Sequence, residues 1–397
     1  MSAPAPIPFA QPDHSEDEVE ELVATLRSGW TTTGPRADQF EKDFCAYTGA
    51  SHALAVNSCT SGLHVALIAC GIGAADEVIT TPMTFCSTVN VIIQTGATPI
   101  LADIGGDLNI NPEAIARAIT PRTRAILPVH IGGLPCDMEA IWKLAAKHDL
   151  KVIEDAAHAA GSRYTPGPGS LTGNAVGKGK SDAVAFSFYA TKNLSTGEGG
   201  MVTTGSAELE SRMRILLLHG ISRDAWQRRT EKASWYYQVV ECGFKYNMSD
   251  LTAAIGLHQL RRLDQMNARR AQIAARYTAA FRPFEELEVA PSRPEAGHSW
   301  HLYVLRLNLL RLQIDRARFF EEMRDRGIGC SVHFIPIPLH PYYQRTLEMH
   351  DPCTRALAEY PRLLSLPLYS GMSDESVERV IAGVQEIVEK YRSPRTA

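Results

Sequence analysis

The order of apolar runs and helical segments between His52 and Thr204 constrains the fold of this chain more than any other feature. The apolar runs are HALAVN, EVITT, TPILADI, RAILPVH, LKVIED, AVAFSF and GMVTT. Segments with helical spacing separate most of these runs, as in DMEAIWKLAAKHD. Because the runs are continuously apolar, both faces of each strand are predicted to be covered, which is typical of a mostly parallel α/β sheet flanked by helices. Ligands of such sheets bind beyond the carboxyl ends of the strands.

The pattern changes near residue 250. A long amphipathic helix is predicted from Asp250 to about Phe284. It is followed by strands in HSWHLYVLRLNL and GCSVHFI, a helix in ARFFEEMRDRG between them, and a closing helix from Ser373 to Tyr391. A length of 397 residues exceeds what one core usually supports. We therefore predict a large α/β domain with an N-terminal segment in residues 1–250, and a smaller C-terminal α+β domain in residues 251–397.

Composition excludes several classes of partner. A net charge of -4 gives no electrostatic reason to expect nucleic acid or an anionic membrane. No apolar run approaches the ~20 residues of a membrane helix, and the first residues lack the basic and apolar regions of a signal peptide. The eight cysteines stand singly, without metal-ligand spacing. We expect a cytoplasmic protein with reduced thiols and no metal site.

The segment from Ser181 to Thr204 carries a single lysine, Lys192, in a turn between two apolar runs. A buried lysine loses its charge readily and then becomes a nucleophile that forms a Schiff base with a carbonyl compound. The alternative is a surface lysine in a hairpin loop. The neighbouring strand ends are needed to choose between the two interpretations.

Three further strand ends carry polar or aromatic residues. Residues 57–62, NSCTSG, join a strand to a helix and offer free N–H groups and hydroxyls for a phosphate, although an ordinary helix cap has the same composition. Asp155 ends another strand and is placed to hold a protonated ring nitrogen, or to cap a helix. His158 follows it, as a cofactor contact or a core histidine, and Phe85 follows a third strand, as a stacking or a core aromatic. Together with Lys192, these residues predict a site for pyridoxal phosphate.

The chain resembles the DegT/StrS family of sugar aminotransferases, which are fold-type I pyridoxal-phosphate enzymes. The resemblance spans nearly the whole chain. It is carried by SGWTTTGP, FEKDFCAYTG, ALAVNSCTSGLHVAL, AADEVITTPMTF, AILPVHIGGLPCDM, VIEDAAHAAG, FSFYATKNLSTGEGGM, HGISRDAW and GFKYNMSDLTAAIGLHQL. It implies a mostly parallel central sheet flanked by helices and a smaller C-terminal α+β domain.

For the cofactor ring, the resemblance implies five residues. Lys192 is the catalytic residue that forms the Schiff base, and Asp155 pairs with the pyridine nitrogen. Phe85 covers one face of the ring and Ala157 the other. His158 lies where the family places a residue near the phenolic oxygen.

For the phosphate group, the resemblance implies that Thr60, Ser61 and Ser187 bind it. Asn247, in the KYN motif, reaches a phosphate that belongs to the other subunit. The resemblance therefore implies a homodimer with active sites at the interface.

The expected activity is transfer of an amino group from L-glutamate to a nucleotide-linked keto sugar. The presence of Lys192 favours transamination over the dehydration catalysed by relatives that lack this lysine. The turn SFYATKNLSTGEGG resembles that of enzymes acting on C4 of a 4-keto-6-deoxyhexose or 4-ketopentose, rather than on C3. Arg228 and His333 are candidate substrate contacts, with a surface or core position as the alternative for each.

Other functions remain open at this stage. A cyclitol aminotransferase, an aminohydroxybenzoate synthase and a non-catalytic regulatory protein would share the same fold. Compared with the DegT/StrS family, the span between Asp155 and Lys192 is several residues longer, because of an insertion around TPGPGSLTG. This insertion either forms a surface loop or narrows the substrate entrance.

Overall fold

A computed structural model describes residues 5–165, 173–222, 237–293, 295–348 and 350–394. Within these ranges a seven-stranded sheet consists of β1 His52–Val56, β2 Glu77–Thr80, β3 Thr98–Leu101, β4 Thr123–Leu127, β5 Lys151–Asp155, β6 Ala183–Ser187 and β7 Gly200–Thr204. The strand order is β1-β7-β6-β5-β4-β2-β3. Only β7 runs opposite to the others, since it pairs antiparallel with both β1 and β6. The predicted mostly parallel α/β sheet is confirmed.

Helices cover both faces of this sheet. The helices of the described ranges are α1 Glu16–Arg27, α2 Pro35–Thr48, α3 Cys59–Ala69, α4 Cys86–Gln94, α5 Pro112–Ala118, α6 Met138–His148, α7 Ala207–Leu217, α8 Asp250–Phe281, α9 Arg316–Asp325, α10 Pro341–Thr346, α11 Thr354–Glu359 and α12 Asp374–Tyr391. Alternate strand residues enter different cores: Ala53 and Ala55 pack with α2, α6 and α8, whereas Leu54 and Val56 pack with α3 and α7. The strands read as continuously apolar because both faces are buried.

Helix α8 connects the two parts of the chain. Ser249 caps it by accepting a hydrogen bond from the Thr252 N–H. Its first half packs in the core of the large sheet, and its second half packs, through residues such as Tyr277 and Phe281, in a separate C-terminal core. The helix ends at Phe281, three residues before the predicted end.

The C-terminal core lies around a three-stranded antiparallel sheet. The strands are β8 Leu287–Glu288, β9 Tyr303–Leu307 and β10 Leu363–Leu366, in the order β10-β9-β8. The N-terminal segment also reaches this core, because the backbone of Ile7 exchanges hydrogen bonds with Gly327 and Gly329. The boundary at residue 250 stays a prediction. None of the described helices is long and apolar enough to cross a membrane.

The close approach of β7 to the start of α3 requires a glycine. A Cβ on Gly200 would lie 2.6 Å from the Phe186 carbonyl oxygen and 2.8 Å from the Cys59 nitrogen, and both are backbone atoms that side-chain motion cannot relieve. We therefore expect Gly200→Ala to lower the free energy of unfolding by about 1–3 kcal/mol through overpacking. The measurement is the shift of the thermal unfolding midpoint.

Gly205→Ala is the matched control for this prediction. Gly205 follows the same strand, and its Cβ would meet nothing within 4 Å. We expect its midpoint to stay close to that of the unchanged protein, as surface substitutions generally leave stability within about 0.5 kcal/mol. Equal midpoints for the two alanine variants would show that the contact at Gly200 relaxes without cost.

Candidate active site

A cavity of about 350 Å³ lies beyond the carboxyl ends of the parallel strands. The start of α3, the end of β5 and the turn between β6 and β7 form much of its wall. The predicted site residues that line it are Thr60, Phe85, Asp155, Ala157, His158, Ser187, Lys192 and His333. Residues separated by up to 273 positions thus meet in one cavity, as the strand-end argument predicted.

The turn that carries Lys192 is fixed by backbone hydrogen bonds. The Lys192 N–H donates to the Tyr189 carbonyl at 2.8 Å, and the Thr196 N–H donates to the Phe188 carbonyl at 2.8 Å. Burial lowers the pKa of Lys192 to about 8, against the opposing effects of Asp155 and Cys59. About a tenth of the amine is therefore uncharged at pH 7 and about half at pH 8, and this neutral form is able to act as a nucleophile.

Asp155 is a buried carboxylate at the end of β5. It accepts hydrogen bonds from the Thr88 hydroxyl at 2.8 Å and from the Ala157 N–H at 3.0 Å. Burial nevertheless raises the pKa of Asp155, although these bonds and the charge of Lys192 act in the opposite direction. The carboxylate faces the cavity and would gain stability from a further cationic partner there.

The N-terminus of α3 faces the cavity through Cys59 and Thr60. Ser61 does not line it: the Ser61 N–H donates to the Ser58 hydroxyl at 3.1 Å, and the Ser61 hydroxyl donates to Asn57 Oδ1 at 2.7 Å. The structure thus shows Ser61 in the helix cap, while its phosphate role stays a prediction. Thr60 and Ser187 line the cavity beside this helix N-terminus, and binding of a phosphate there stays a prediction.

Aromatic rings border the cavity on two sides. Phe85 is 59% exposed and lines the cavity, so a face of its ring is accessible to a planar ligand. His158 is buried and stacks on Phe334, with ring centroids 5.7 Å apart and an interplanar angle of 17°. His333 also lines the cavity, where its Nδ1 lies 2.9 Å from the Ser365 hydroxyl.

One predicted contact, Asn247, lies elsewhere. Asn247 does not line this cavity: it pairs with Val56 across a β-bridge, and its side chain bonds to Lys245 and Thr33. Its predicted role toward the other subunit stays a prediction. Arg228 lies outside the residues that the structure describes.

The structure adds cavity residues that the sequence analysis did not single out. The most notable are Phe9, Tyr189, His301 and Phe334. Phe9 comes from the N-terminal segment and stacks on His333, with ring centroids 5.4 Å apart. His301 precedes β9 in a stretch that reads simply as an alternating strand, so only the tertiary fold reveals its position.

The sequence pattern of the DegT/DnrJ/EryC1/StrS aminotransferase family matches residues 12–385. The chain belongs to this family. SpsC of Bacillus subtilis, a spore coat polysaccharide biosynthesis protein, is 50% identical over 385 residues, which cover 96% of this chain and 97% of SpsC. The uncharacterized protein MJ1066 of Methanocaldococcus jannaschii is 47% identical over 388 residues, which cover 97% of this chain and 98% of MJ1066.

Solved structures superimpose over nearly the whole chain. Spr1654 from Streptococcus pneumoniae, described as a sugar aminotransferase and solved in its PMP form, gives a TM-score of 0.89 at 32% identity, covering 97% of this chain and 99% of Spr1654. DesV from S. venezuelae, solved with a ketimine intermediate, gives 0.87 at 32% identity over the same shares of the two chains. The protein is therefore a fold-type I, pyridoxal-phosphate-dependent aminotransferase.

The residues of the cavity fit pyridoxal phosphate. Asp155 offers a buried carboxylate, held by neutral donors, to a pyridinium nitrogen. The start of α3 offers N–H groups to a phosphate, and the exposed ring of Phe85 offers a stacking surface. Lys192 would supply the amine for the covalent bond.

The lowered pKa of Lys192 predicts how the apo-protein takes up its cofactor. Only the neutral amine attacks the aldehyde, so the rate of Schiff-base formation should rise with pH and level off above a midpoint near 8. The measurement is the growth of visible absorbance after pyridoxal phosphate is added at a series of pH values. Nα-acetyl-lysine is the control, and its rate should still be rising near the ordinary value of 10.5. A protein midpoint equal to that of the free amino acid would contradict the effect of burial.

Proposed function

We propose that this enzyme transfers the amino group of L-glutamate to C4 of a UDP- or dTDP-linked 4-keto-6-deoxyhexose or 4-ketopentose. The observation that carries the proposal is the whole-length match to sugar aminotransferases, and the cavity around Lys192, whose residues fit pyridoxal phosphate, supports it. The same enzyme class includes PseC of Helicobacter pylori, which is 28% identical, superimposes with a TM-score of 0.87 and is involved in pseudaminic acid biosynthesis. The products would be an amino sugar nucleotide and 2-oxoglutarate.

The residues of the cavity divide the chemistry between them. Pyridoxal phosphate, when bound, withdraws electrons from the substrate carbon that loses a proton. Lys192 Nζ would hold the cofactor in the resting enzyme and would then carry the proton to and from that carbon. Asp155 would pair its charge with the ring nitrogen, and the α3 N-terminus would hold the phosphate. The same site serves both half-reactions, since Spr1654 is known in PLP and PMP forms.

The proposal includes a homodimer in which Asn247 reaches the phosphate of the neighbouring active site. It is supported by the position of Asn247 outside its own cavity and by exposed apolar side chains around the cavity, including Phe85 and Tyr189. Analytical ultracentrifugation of the purified enzyme measures the state of assembly. A monomer that is fully active would contradict this part of the proposal.

The substrate is tested with purified holoenzyme and separate half-reactions. L-Glutamate alone should convert the cofactor to its amine form, seen as a loss of the visible absorption band and release of 2-oxoglutarate. dTDP-4-keto-6-deoxyglucose, its UDP counterpart or a UDP-4-ketopentose should then restore the band and yield an amino sugar nucleotide, identified by mass spectrometry. Turnover of scyllo-inosose with no reaction of any keto-sugar nucleotide would replace this proposal with a cyclitol aminotransferase.

A further inference from the structure

His301 occupies the wall of the cavity without a role in the chemistry described so far. Its side chain is buried, and its ring centroid lies 4.4 Å from that of His158. It lines the same cavity as Lys192, the residue that would bond to the cofactor. Its hydrogen-bond partner decides which of its two ring nitrogens carries a proton.

A chain of amide hydrogen bonds fixes the orientation of that partner, Asn193. The side-chain NH₂ of Asn267 donates to the Ala160 carbonyl at 3.0 Å, so its oxygen is the atom that faces Asn193. The NH₂ of Asn193 donates to this oxygen at 2.7 Å and to the Ser299 carbonyl at 2.7 Å. With its nitrogen engaged by two acceptors, Asn193 presents its oxygen to His301.

His301 is consequently held in one tautomer. Its Nδ1 lies 3.1 Å from Asn193 Oδ1, which only accepts, so Nδ1 carries the hydrogen. Burial, followed by the neighbouring charges of His158 and Lys192, lowers the pKa of His301 well below its usual value. The ring is therefore neutral, and Nε2 keeps its lone pair.

His158 is held in the opposite tautomer. The Gly132 N–H donates to His158 Nδ1 at 3.2 Å, so its Nε2 carries the hydrogen. The cavity thus contains one imidazole that donates through Nε2 and one that accepts through Nε2. An imidazole that binds a proton as weakly as His301 is a poor base, but the lone pair of its Nε2 can still accept a hydrogen bond from a neutral donor.

We propose that His301 Nε2 accepts a hydrogen bond from the hydroxyl group next to the carbonyl of a polyhydroxylated ketone substrate, and that Asn193 is the positioning residue that fixes its tautomer. The proposal rests on the proposed function for the substrate class. L-Glutamate carries no hydroxyl group, so this contact serves the amino acceptor and not the amino donor. A substrate without that hydroxyl would leave a buried acceptor unpaired, which is a strong basis for discrimination.

The first test is His301→Phe in the holoenzyme, which keeps a planar ring and removes the acceptor. We expect the glutamate half-reaction to stay near the rate of the unchanged enzyme. The half-reaction with dTDP-4-keto-6-deoxyglucose should slow by about 10- to 100-fold, which corresponds to one unmade buried hydrogen bond. The visible absorption band of the bound cofactor and the thermal unfolding midpoint report whether the variant is folded and loaded. Equal slowing of both half-reactions would overturn the proposal, because it would place His301 with the cofactor or Lys192.

The second test uses the 3-deoxy analogue of the same sugar nucleotide, in which the only hydroxyl beside the carbonyl is missing. The unchanged enzyme should process it about 10- to 100-fold more slowly than the full substrate. The His301→Phe variant should process the two compounds at similar rates. If the variant still discriminates as strongly as the unchanged enzyme, another residue reads the hydroxyl and the proposal is wrong.

Asn193→Leu tests the positioning role and provides a second variant. It removes the acceptor at Nδ1, so His301 can adopt either tautomer, and the loss should again appear in the keto-sugar half-reaction alone. A slower glutamate half-reaction as well would contradict a role of Asn193 through His301.

If the unchanged enzyme accepts scyllo-inosose but no keto-sugar nucleotide, the proposed function fails by itself. The His301→Phe test is then repeated with scyllo-inosose as the amino acceptor, and equal slowing of both half-reactions would again overturn the role of His301.

Discussion

Replacing Lys192 by alanine should abolish transamination while leaving a folded protein. The amine is the only group in the proposed mechanism that both bonds to the cofactor and moves the proton, and loss of a positioned acid–base group alone costs about 10²- to 10⁴-fold. We therefore expect a loss of at least about 10³-fold in kcat, from the combined loss of the nucleophile and the proton carrier. The side chain ends in the cavity, so its removal should change stability little.

A covalent readout separates this role from a general loss of activity. Treatment of the holoenzyme with borohydride should fix the cofactor on the peptide that contains Lys192, as seen by mass spectrometry, and the alanine variant should carry no adduct. Lys42→Ala is the matched control, because Lys42 is exposed and its Nζ forms an ion pair with Asp38 away from the cavity. It should keep both the adduct and the activity. Near-normal turnover by Lys192→Ala would show that the nucleophile has been misassigned.

Much of the site followed from the sequence because the fold is encoded by local pattern. The continuous apolar runs predict strands buried on both faces, and residues at their carboxyl ends must then converge. Lys192, Asp155 and Phe85 each stand at or just beyond such an end, and the structure places all three in one cavity. No single one of these signals would have sufficed, since each residue has an ordinary structural interpretation.

The remaining part of the site depends on tertiary contacts that no local pattern reports. GCSVHFI was predicted as a strand, but within it the structure has only an isolated bridge between Ser331 and Ser365. The chain turns toward the cavity there, so His333 and Phe334 line it. His301 is separated from Asn193 by 108 positions, and only the packing of the C-terminal part against the large sheet brings them together.

Replacing Asp155 by asparagine should separate catalysis from stability. Asparagine has the same shape but cannot offer a negative charge to the ring nitrogen, so the cofactor would withdraw electrons less effectively. Loss of one preorganised electrostatic group typically costs about 10²- to 10³-fold in kcat, and we expect both half-reactions to slow by that amount. Stopped-flow measurements of the cofactor spectrum record each half-reaction. Normal rates in the asparagine variant would remove Asp155 from the mechanism.

The same substitution, Asp155→Asn, should slow catalysis but should not lower the stability of the apo-protein. Burial raises the pKa of Asp155 above its ordinary value of 3.8, so the folded apo-protein binds this proton more tightly than the unfolded chain does. Its contribution to stability is therefore complete at low pH and is lost as the pH rises through the raised pKa. Asparagine carries no charge to desolvate, so apo Asp155→Asn should be at least as stable at pH 7 as the unchanged apo-protein. Asp325→Asn, at an exposed position, is the control and should alter neither the rates of the half-reactions nor the stability of the apo-protein.

Thr88→Val tests whether the carboxylate works because it is held in place. The Thr88 hydroxyl donates to Asp155 Oδ2 at 2.8 Å, and its removal leaves the charge intact but less firmly oriented. Because one hydrogen bond to a charged group is lost, we expect a reduction of about 10-fold in kcat, smaller than that of Asp155→Asn. The pKa of Asp155 should rise further, and the apo-protein should not gain stability. If Thr88→Val and Asp155→Asn reduced activity equally, orientation and not charge would be the property that the enzyme requires from Asp155.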